Sequence, residues 1–190
     1  MGRFILASAS PRRLDLLKQI GLTPDAVLPA DIDETEHNGE SPTTYAQRMA
    51  IEKAKKIAKD EKDAFILAAD TVVACGKCIL PKAEDLETAD KCLKMLSGRK
   101  HYVLGGIAVI APDGRMVKKL VKTSVRFKRL SLEEHQHYLD SNEWDGKAGG
   151  YAIQGLASCF IPSIHGSYTN VVGLSLHETA HALYGLGYKK

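Results

Sequence analysis

The segment 64–74, AFILAADTVVA, is the feature that most limits what this chain can fold into. It is apolar on both faces, which is typical of a strand covered on both sides by other layers. Asp70 is the exception, and we interpret it as lying at the end of this strand, where α/β sheets bind ligands. A carboxylate there can ligate a metal or accept a proton from water. Because Val72 and Val73 continue the apolar run, an Asp that only caps a turn is the weaker interpretation.

Helix and strand signals alternate along the rest of the chain. Each predicted helix follows a residue that can cap its first turn. These capping residues are Ser10, Ser41, Asp85, Ser131 and Ser175. Strands are predicted at 4–7, 101–111 and 116–127, with a short strand after 155 and a loop at 164–170. Because hairpins and crossovers both occur, we predict an α/β fold with a mixed sheet.

Length and charge narrow the class of protein. The 190 residues suffice for a single domain, 1–190, with a full core. A formal net charge of +3 is too small to indicate nucleic-acid binding. No apolar run approaches the roughly 18 residues of a transmembrane helix, and Pro11 interrupts the N-terminal apolar patch too early for a signal peptide. We therefore expect a cytoplasmic protein that binds neither membranes nor nucleic acid.

The stretch 8–13, SASPRR, joins the first strand to the first helix. A helix N-terminus is electropositive because its first N–H groups are unpaired, so two arginines are unexpected there. Either Arg12 and Arg13 point into water, or an anion lies between them and the helix end. Ser8 and Ser10 lie on the same junction. The residues alone leave both interpretations open.

Three further polar residues lie in apolar or glycine-rich surroundings. Lys53 falls on the inner stripe of the second helix, so its ammonium must either reach out to water or meet an anion. Lys82 could bind phosphate, although alone it is only a loop lysine. Gln154 lies in GGYAIQG, where glycines allow a ligand to approach and an amide could read a base edge. Together with the arginines and Asp70, this set suits a small, multiply anionic substrate.

Two motifs indicate other chemistry. Cys75-Gly-Lys-Cys78 has C-x-x-C spacing, but a structural zinc site needs a second pair of similar spacing. A thioredoxin-like redox motif belongs at a helix start, whereas a turn between two strands is predicted here. His177-Glu-Thr-Ala-His181 has zinc-protease spacing, but residues 182–190 offer no third ligand. Ser175 and Glu178 also predict a capping box, which would turn Glu178 back to its own helix start.

Six segments, spread over nearly the whole chain, carry a family resemblance. They are LASASPRRLDLL, RMAIEKA, AADTVV, KMLSG with the following His101, KAGGYAIQG and IHGSYTNVVGL. In this order they resemble the Maf proteins, which are septum-formation-inhibitor-like nucleoside triphosphate pyrophosphatases. The resemblance implies a Maf/ITPase-like fold, in which an elongated mixed sheet is flanked by helices, and a homodimer.

The resemblance also implies a reaction and a metal. The reaction is hydrolysis of a nucleoside triphosphate to the monophosphate and pyrophosphate, with Mg²⁺ or Mn²⁺ as the divalent cation. Asp70 is implied to accept the proton of the attacking water, and Glu34 to help Asp70 hold the metal. Phosphate binding is implied for four cations, which are Arg12, Arg13, Lys53 and Lys82.

Substrate choice is implied by the residue in the YAIQG segment. With Gln154 at this position, the chain resembles the branch that cleaves dTTP and UTP. A related branch that acts on 7-methyl-GTP has Glu there. Base selectivity is therefore implied for Arg12, Thr71 and Gln154. One departure from the family pattern is Ala83, because a proline usually follows the lysine, and we expect this loop to hold Lys82 differently.

A different class of function is a regulator of cell division that binds a protein or nucleic-acid partner and does no chemistry. Such a binder has no use for an ionisable residue at the end of a buried strand. Asp70 and Lys53 therefore favour the enzyme.

Overall fold

The computed structural model describes residues 2–189. Its strands are β1 (Arg3–Ala7), β2 (Ala26–Val27), β3 (Ala64–Cys75), β4 (Cys78–Leu80), β5 (Lys82–Ala83), β6 (Lys100–Ile110), β7 (Met116–Arg126), β8 (Lys147–Ala148) and β9 (Ser163–His165). Its α-helices are α1 (Pro11–Gln19), α2 (Pro42–Ala58), α3 (Leu86–Leu96), α4 (Leu132–Asp140), α5 (Tyr168–Val172) and α6 (Leu176–Gly185). A 3-10 helix spans Leu156–Phe160.

The larger sheet is mixed. Its strands lie in the order β2-β1-β3-β6-β7-β9, and β4 pairs with the far end of β3. β1 is parallel to β2 and β3, whereas β6, β7 and β9 add antiparallel pairs. A separate two-stranded sheet joins β5 to β8. The predicted α/β fold with a mixed sheet is therefore confirmed.

The central strand β3 is covered on both faces, as its sequence predicts. α2 packs on one face, where Ala50 and Ala54 belong to the same buried apolar cluster as Ile66. The other face belongs to the main core together with α1, α3 and α6. The close approach of α2 requires Gly106 in β6, because a Cβ there would lie 2.0 Å from the carbonyl oxygen of Ala46.

Asp70 lies within β3 and not at its end, so that part of the sequence prediction was wrong. The parallel neighbour β1 ends at Ala7, opposite Ala68. β3 continues to Cys75 because the antiparallel strand β6 stays paired with it, placing Gly106 opposite Asp70. Asp70 nevertheless lies just beyond the carboxyl end of β1, where the parallel half of the sheet opens.

Three of the five predicted helix caps are formed through the serine or aspartate side chain, those of Ser41, Asp85 and Ser131. Ser10 and Ser175 precede α1 and α6, but neither makes a side-chain cap. The capping box predicted for Ser175 and Glu178 is wrong. Glu178 instead lies 3.4 Å from the ammonium of Lys119 in β7, a partner that local sequence spacing cannot reveal.

The segment 156–170 also differs from its prediction of a short strand followed by a loop. The 3-10 helix, β9 and α5 occupy it instead. Ser167 caps α5 by accepting a hydrogen bond from the N–H of Asn170. The buried Asn170 amide in turn donates to the carbonyls of Val103 and Val121. Bonds to two distant strands thus hold a helical turn that the local sequence does not predict.

Candidate active site

A cavity of about 410 Å³ opens where β1 passes into α1. Its walls come from that junction, from α2, β3 and β5, from residues 145–154 around β8, and from the end of α5 at 171–173. All the site residues predicted from the sequence line it, namely Ser8, Ser10, Arg12, Arg13, Glu34, Lys53, Asp70, Thr71, Lys82 and Gln154. The fold therefore brings together residues from both ends of the chain.

Lys53 links two of the acidic residues that line the cavity, Asp70 and Glu34. Its Nζ lies 2.7 Å from Oδ1 of Asp70 and 2.8 Å from Oε1 of Glu34. Lys53 and Asp70 are each only 8% exposed. Of the two sequence interpretations for Lys53, the one in which its ammonium meets an anion is confirmed. The pair also explains how a carboxylate is tolerated in the most buried strand, since an uncompensated charge there would be costly.

Glu34 comes from the irregular segment between β2 and α2. Partial burial acts to raise the pKa of its carboxyl. The hydrogen bond and charge of Lys53, with the charges of Lys82 and Arg13, outweigh that effect and lower the pKa below its ordinary value. Glu34 is therefore held as a carboxylate, one oxygen of which lies 3.8 Å from the Lys82 ammonium.

Arg13 is a buried residue and not a solvated one. Its Nε donates to the carbonyl of Gly173 at 3.0 Å, and its terminal nitrogens donate to Ser8 Oγ at 2.8 Å and Thr71 Oγ1 at 3.1 Å. Thr71 Oγ1 also donates to the same Gly173 carbonyl. Burial lowers the pKa of Arg13, and the charge of Asp70 opposes this. Arg13 thus joins α1, β3 and the end of α5 at the cavity wall.

Arg12 is half-buried and lacks this support. Its Nε is buried without a hydrogen-bond partner among residues 2–189. Desolvation lowers the pKa of its guanidinium. Ser10 does not cap α1 through its side chain, although its carbonyl accepts a hydrogen bond from the Arg13 N–H at 3.2 Å, so a half-buried cation lies beside a helix start without a side-chain cap. Donors left without partners in this way are expected where an anion binds.

The cavity mouth carries Lys82 and Gln154. Lys82 lies in the short strand β5, opposite Ala148 of β8, so it is held by backbone pairing and not by a free loop. Its side chain is 55% exposed. Gln154 is exposed on the turn before the 3-10 helix. Both are in place to meet a ligand that enters from solvent.

Lys147 also lines the cavity, although the sequence reasoning missed it. Burial and the nearby charge of Arg12 lower the pKa of its ammonium, which donates to the carbonyl of Asp145 at 2.7 Å. Its position in KAGGYAIQG, two residues before the first of the paired glycines, was the available signal. Tyr45 and Arg48 were missed too. Tyr45 donates a hydrogen bond to the backbone carbonyl of Glu34, and Arg48 donates one to that of Thr35.

The two competing motifs lie outside the cavity lining. Cys75 and Cys78 face each other across the β3–β4 turn, as predicted. His177 and His181 are exposed on α6, with ring centroids 4.3 Å apart. In the described part of the chain, no group of three or more His, Cys, Asp or Glu side chains is arranged to hold a metal. Nor does any helix within residues 2–189 have the length and apolarity to cross a membrane.

Comparison with known proteins decides the family. A family model described as "Maf-like protein" matches residues 3–186. This chain belongs to the Maf-like protein family. Two relatives of this Maf-like chain carry the name dTTP/UTP pyrophosphatase: one from Paramagnetospirillum magneticum is 60% identical and covers 99% of both chains. The other, from Caulobacter vibrioides, is 58% identical and covers 97% of this chain and 96% of its own.

A solved structure supports the fold of the Maf-like chain. A HAM1 protein from Coxiella burnetii superposes with a TM-score of 0.54, covering 97% of this chain and all of the other (100%). The two sequences are only 17% identical, so the likeness concerns the fold alone. It agrees with the predicted α/β sheet flanked by helices.

Proposed function

We propose that this Maf-like chain hydrolyses dTTP and UTP to the nucleoside monophosphate and pyrophosphate. The observation that carries the proposal is the contact of the buried Lys53 with the buried Asp70 and the more exposed Glu34, at the wall of a cavity lined by cations. Two relatives that are 60% and 58% identical to this chain are named dTTP/UTP pyrophosphatase. Their names support the same activity and the same substrates. Residues 1–190 would act as one catalytic domain.

Asp70 is the proposed base. Water attacks the α-phosphorus, the bond from that phosphorus to the bridging oxygen breaks, and pyrophosphate leaves. Asp70 Oδ1 is engaged by Lys53, so the second oxygen of its carboxylate would accept the proton of the attacking water. Lys53 holds the carboxylate in one orientation, which is how a second residue positions a catalytic base.

Cations and N–H donors would bind the triphosphate. Arg12 and Arg13 lie beside the first turn of α1, where guanidinium groups and free backbone N–H groups can bind phosphate oxygens together. Lys53 and Lys82 would meet the same phosphates from α2 and β5. Ser8 and Ser10 supply hydroxyl groups on the junction. This assignment gives the two arginines at a helix N-terminus a physical reason, since the ligand's charge offsets their repulsion from the dipole.

Gln154 would read the base. A pyrimidine with a C4 carbonyl and an N3 proton presents an acceptor beside a donor, and one carboxamide can satisfy both. Arg12 and Thr71, which line the same cavity, would complete the selection of pyrimidines.

The donor set also fits a divalent metal, Mg²⁺ or Mn²⁺. Glu34 and Asp70 both contact the Lys53 ammonium, so their two carboxylates lie near each other and would hold one cation together. Two carboxylates would suffice, because Mg²⁺ in nucleotide sites commonly takes one or two protein carboxylates, with waters and substrate phosphates completing its shell. When bound, such a cation would neutralise charge developing on the phosphates.

Location and assembly are further proposals. The family resemblance implies a homodimer, the location is expected to be cytoplasmic, and no membrane or nucleic-acid partner is part of the proposal. Sedimentation of the purified protein at micromolar concentration would measure the oligomeric state. A monomer at those concentrations would rule out the homodimer.

The test is a panel of nucleotides. Purified protein with Mg²⁺ or Mn²⁺ is incubated with UTP, dTTP, 7-methyl-GTP and ITP, and the released monophosphate and pyrophosphate are measured. We expect selective cleavage of UTP and dTTP, and a loss of at least about 100-fold in kcat for Asp70→Asn. The absence of turnover by folded protein would overturn the enzyme proposal in favour of a non-catalytic regulator of cell division.

A further inference from the structure

Glu34 reaches the cavity on a segment that has little packing of its own. Residues 31–40, DIDETEHNGE, contain neither helix nor strand, and those from 33 to 39 are all exposed. We call residues 31–40 the acidic loop. A stretch with so little buried apolar surface and so many carboxylates is expected to move unless polar contacts hold it. Yet the Glu34 carboxylate lies 2.8 Å from Lys53.

Two side chains of α2 hold the loop by its backbone. The Tyr45 hydroxyl donates to the carbonyl of Glu34 at 2.8 Å, and a terminal nitrogen of Arg48 donates to the carbonyl of Thr35 at 2.9 Å. These carbonyls belong to adjacent residues. The Arg48 guanidinium also lies over the Tyr45 ring, 5.4 Å from its centroid, so the two donors support each other.

Arg48 also fixes the far end of the loop. It binds Glu40 through two hydrogen bonds, from Nε to Oε1 at 2.8 Å and from a terminal nitrogen to Oε2 at 2.7 Å. The side chain of Glu40 is only 5% exposed and that of Arg48 16%. A bidentate pair of this kind sets the orientation of the guanidinium as well as its position.

We propose that Tyr45 and Arg48 are positioning residues for Glu34, which clamp the acidic loop onto α2 so that the Glu34 carboxylate meets Lys53 and Asp70. The proposal rests on the proposed function for its kinetic consequence. Neither residue lines the cavity, so both act through Glu34 and not on the substrate. Lys53, Arg48 and Tyr45 all project from α2, so one helix positions both the base and the loop beside it.

The kinetic test is a double-mutant cycle. Arg48→Lys keeps the charge but cannot form the bidentate pair and reach Thr35 together, and Tyr45→Phe removes only the hydroxyl. We expect each to lower kcat/KM for UTP on the order of tenfold, with an unchanged melting temperature. In a Glu34→Gln background, the same changes should add less than about twofold. Equal losses in both backgrounds, or no loss in either, would overturn the proposal.

Glu52→Gln is the matched control. Glu52 lies 3.5 Å from Arg48, one turn further along α2, and within residues 2–189 it forms no hydrogen bond or ion pair with the acidic loop. This variant removes an ion pair of Arg48 but leaves the clamp intact. We expect wild-type kcat/KM from it.

A second readout does not depend on activity. A Glu-specific protease should cut the acidic loop after Glu34 or Glu36 about tenfold faster in Arg48→Lys and Tyr45→Phe than in wild type or Glu52→Gln. Unchanged cleavage rates would overturn the clamp whether or not the chain is an enzyme. Conversely, faster cleavage in a protein that turns over no nucleotide would leave the clamp standing and overturn the proposed function alone.

Discussion

Lys53 and Asp70 meet at 2.7 Å between α2 and β3, both nearly buried, and the ammonium of Lys53 is shared with Glu34. Because the ammonium is shared, removing Lys53 and removing the charge of Asp70 have different consequences. Removing Lys53 leaves two carboxylates without their common cation, whereas removing the charge of Asp70 leaves Lys53 bound to Glu34. The stability of the cluster therefore depends mainly on Lys53, whereas the proposed reaction depends on Asp70.

Lys53→Met should destabilise the fold by about 3 kcal/mol, because breaking a buried ion pair leaves an uncompensated charge. Asp70→Asn should cost far less, since Lys53 keeps its bond to Glu34. Urea unfolding at pH 7 measures both free energies. The double variant Lys53→Met/Asp70→Asn should regain part of the loss, and a double variant no more stable than Lys53→Met would contradict this account.

Arg12→Ala should raise KM for UTP by tens-fold, equivalent to about 2 kcal/mol, and leave stability nearly unchanged, because its buried Nε has no protein partner to lose. Steady-state kinetics measure KM. Arg126→Ala removes an exposed cation from β7 and controls for general attraction of the anionic substrate. If both variants raise KM equally, Arg12 does not bind the triphosphate directly.

Gln154→Glu should lower kcat/KM for UTP and dTTP by at least about tenfold. The carboxylate keeps the size of the side chain and can still accept a hydrogen bond from N3, but it cannot donate to the C4 carbonyl. Assays with both nucleotides at saturating metal measure the effect. Undiminished pyrimidine turnover would show that Gln154 does not read the base.

Gly106→Ala should destabilise the protein by about 3 kcal/mol or more and lower activity with it. Its Cβ would lie 2.0 Å from a backbone carbonyl of α2, so α2 would have to move away from the sheet and carry Lys53 with it. The matched control is Gly185→Ala in α6, where a Cβ meets nothing within 4 Å. We expect that control to be neutral or slightly stabilising, as judged by urea unfolding.

His101 should make stability depend on pH. It is buried with Nε2 2.8 Å from the Tyr151 hydroxyl, and desolvation lowers its pKa to about 4. Between about pH 6.5 and 4 the unfolded chain therefore binds more protons at this position than the folded chain. Stability is fully present above pH 6.5 and falls as the pH falls, by about 3 kcal/mol at pH 4.

Urea unfolding from pH 4 to 8 measures that dependence. Carboxylates titrate in the same window, so the comparison is with His101→Gln, which can keep a hydrogen bond to Tyr151 without titrating. We expect a shallower slope between pH 4 and 6.5 for the variant. Identical slopes would exclude His101 as a source.

Local interactions explain why so much of the fold could be predicted from the sequence. The apolar run of β3 predicts a strand that is buried on both faces, without indicating which elements pack against it. The caps at Ser41, Asp85 and Ser131 form with N–H groups only three residues away. Interactions of this range are encoded in neighbouring residues and are affected little by the rest of the fold.

The predictions from sequence are wrong where a residue far away in the chain binds the side chain in question. Glu178 binds Lys119 of β7 and not its own helix start. Asn170 bonds to β6 and β7, which holds α5 where a loop was predicted. In each case the deciding contact joins residues far apart in sequence, so local spacing carries no record of it.

The features of the candidate site fall into the same two groups, those that local sequence predicts and those that depend on distant contacts. Two arginines at a helix start, a lysine on an inner helical stripe and an aspartate in an apolar strand can all be recognised from the residues alone. That they share one cavity, that Lys53 contacts both Asp70 and Glu34, and that Tyr45 and Arg48 hold the acidic loop follows from the three-dimensional arrangement. The reason is physical: burying a charge is tolerable only when a partner arrives from elsewhere in the fold, and that pairing exists only in three dimensions.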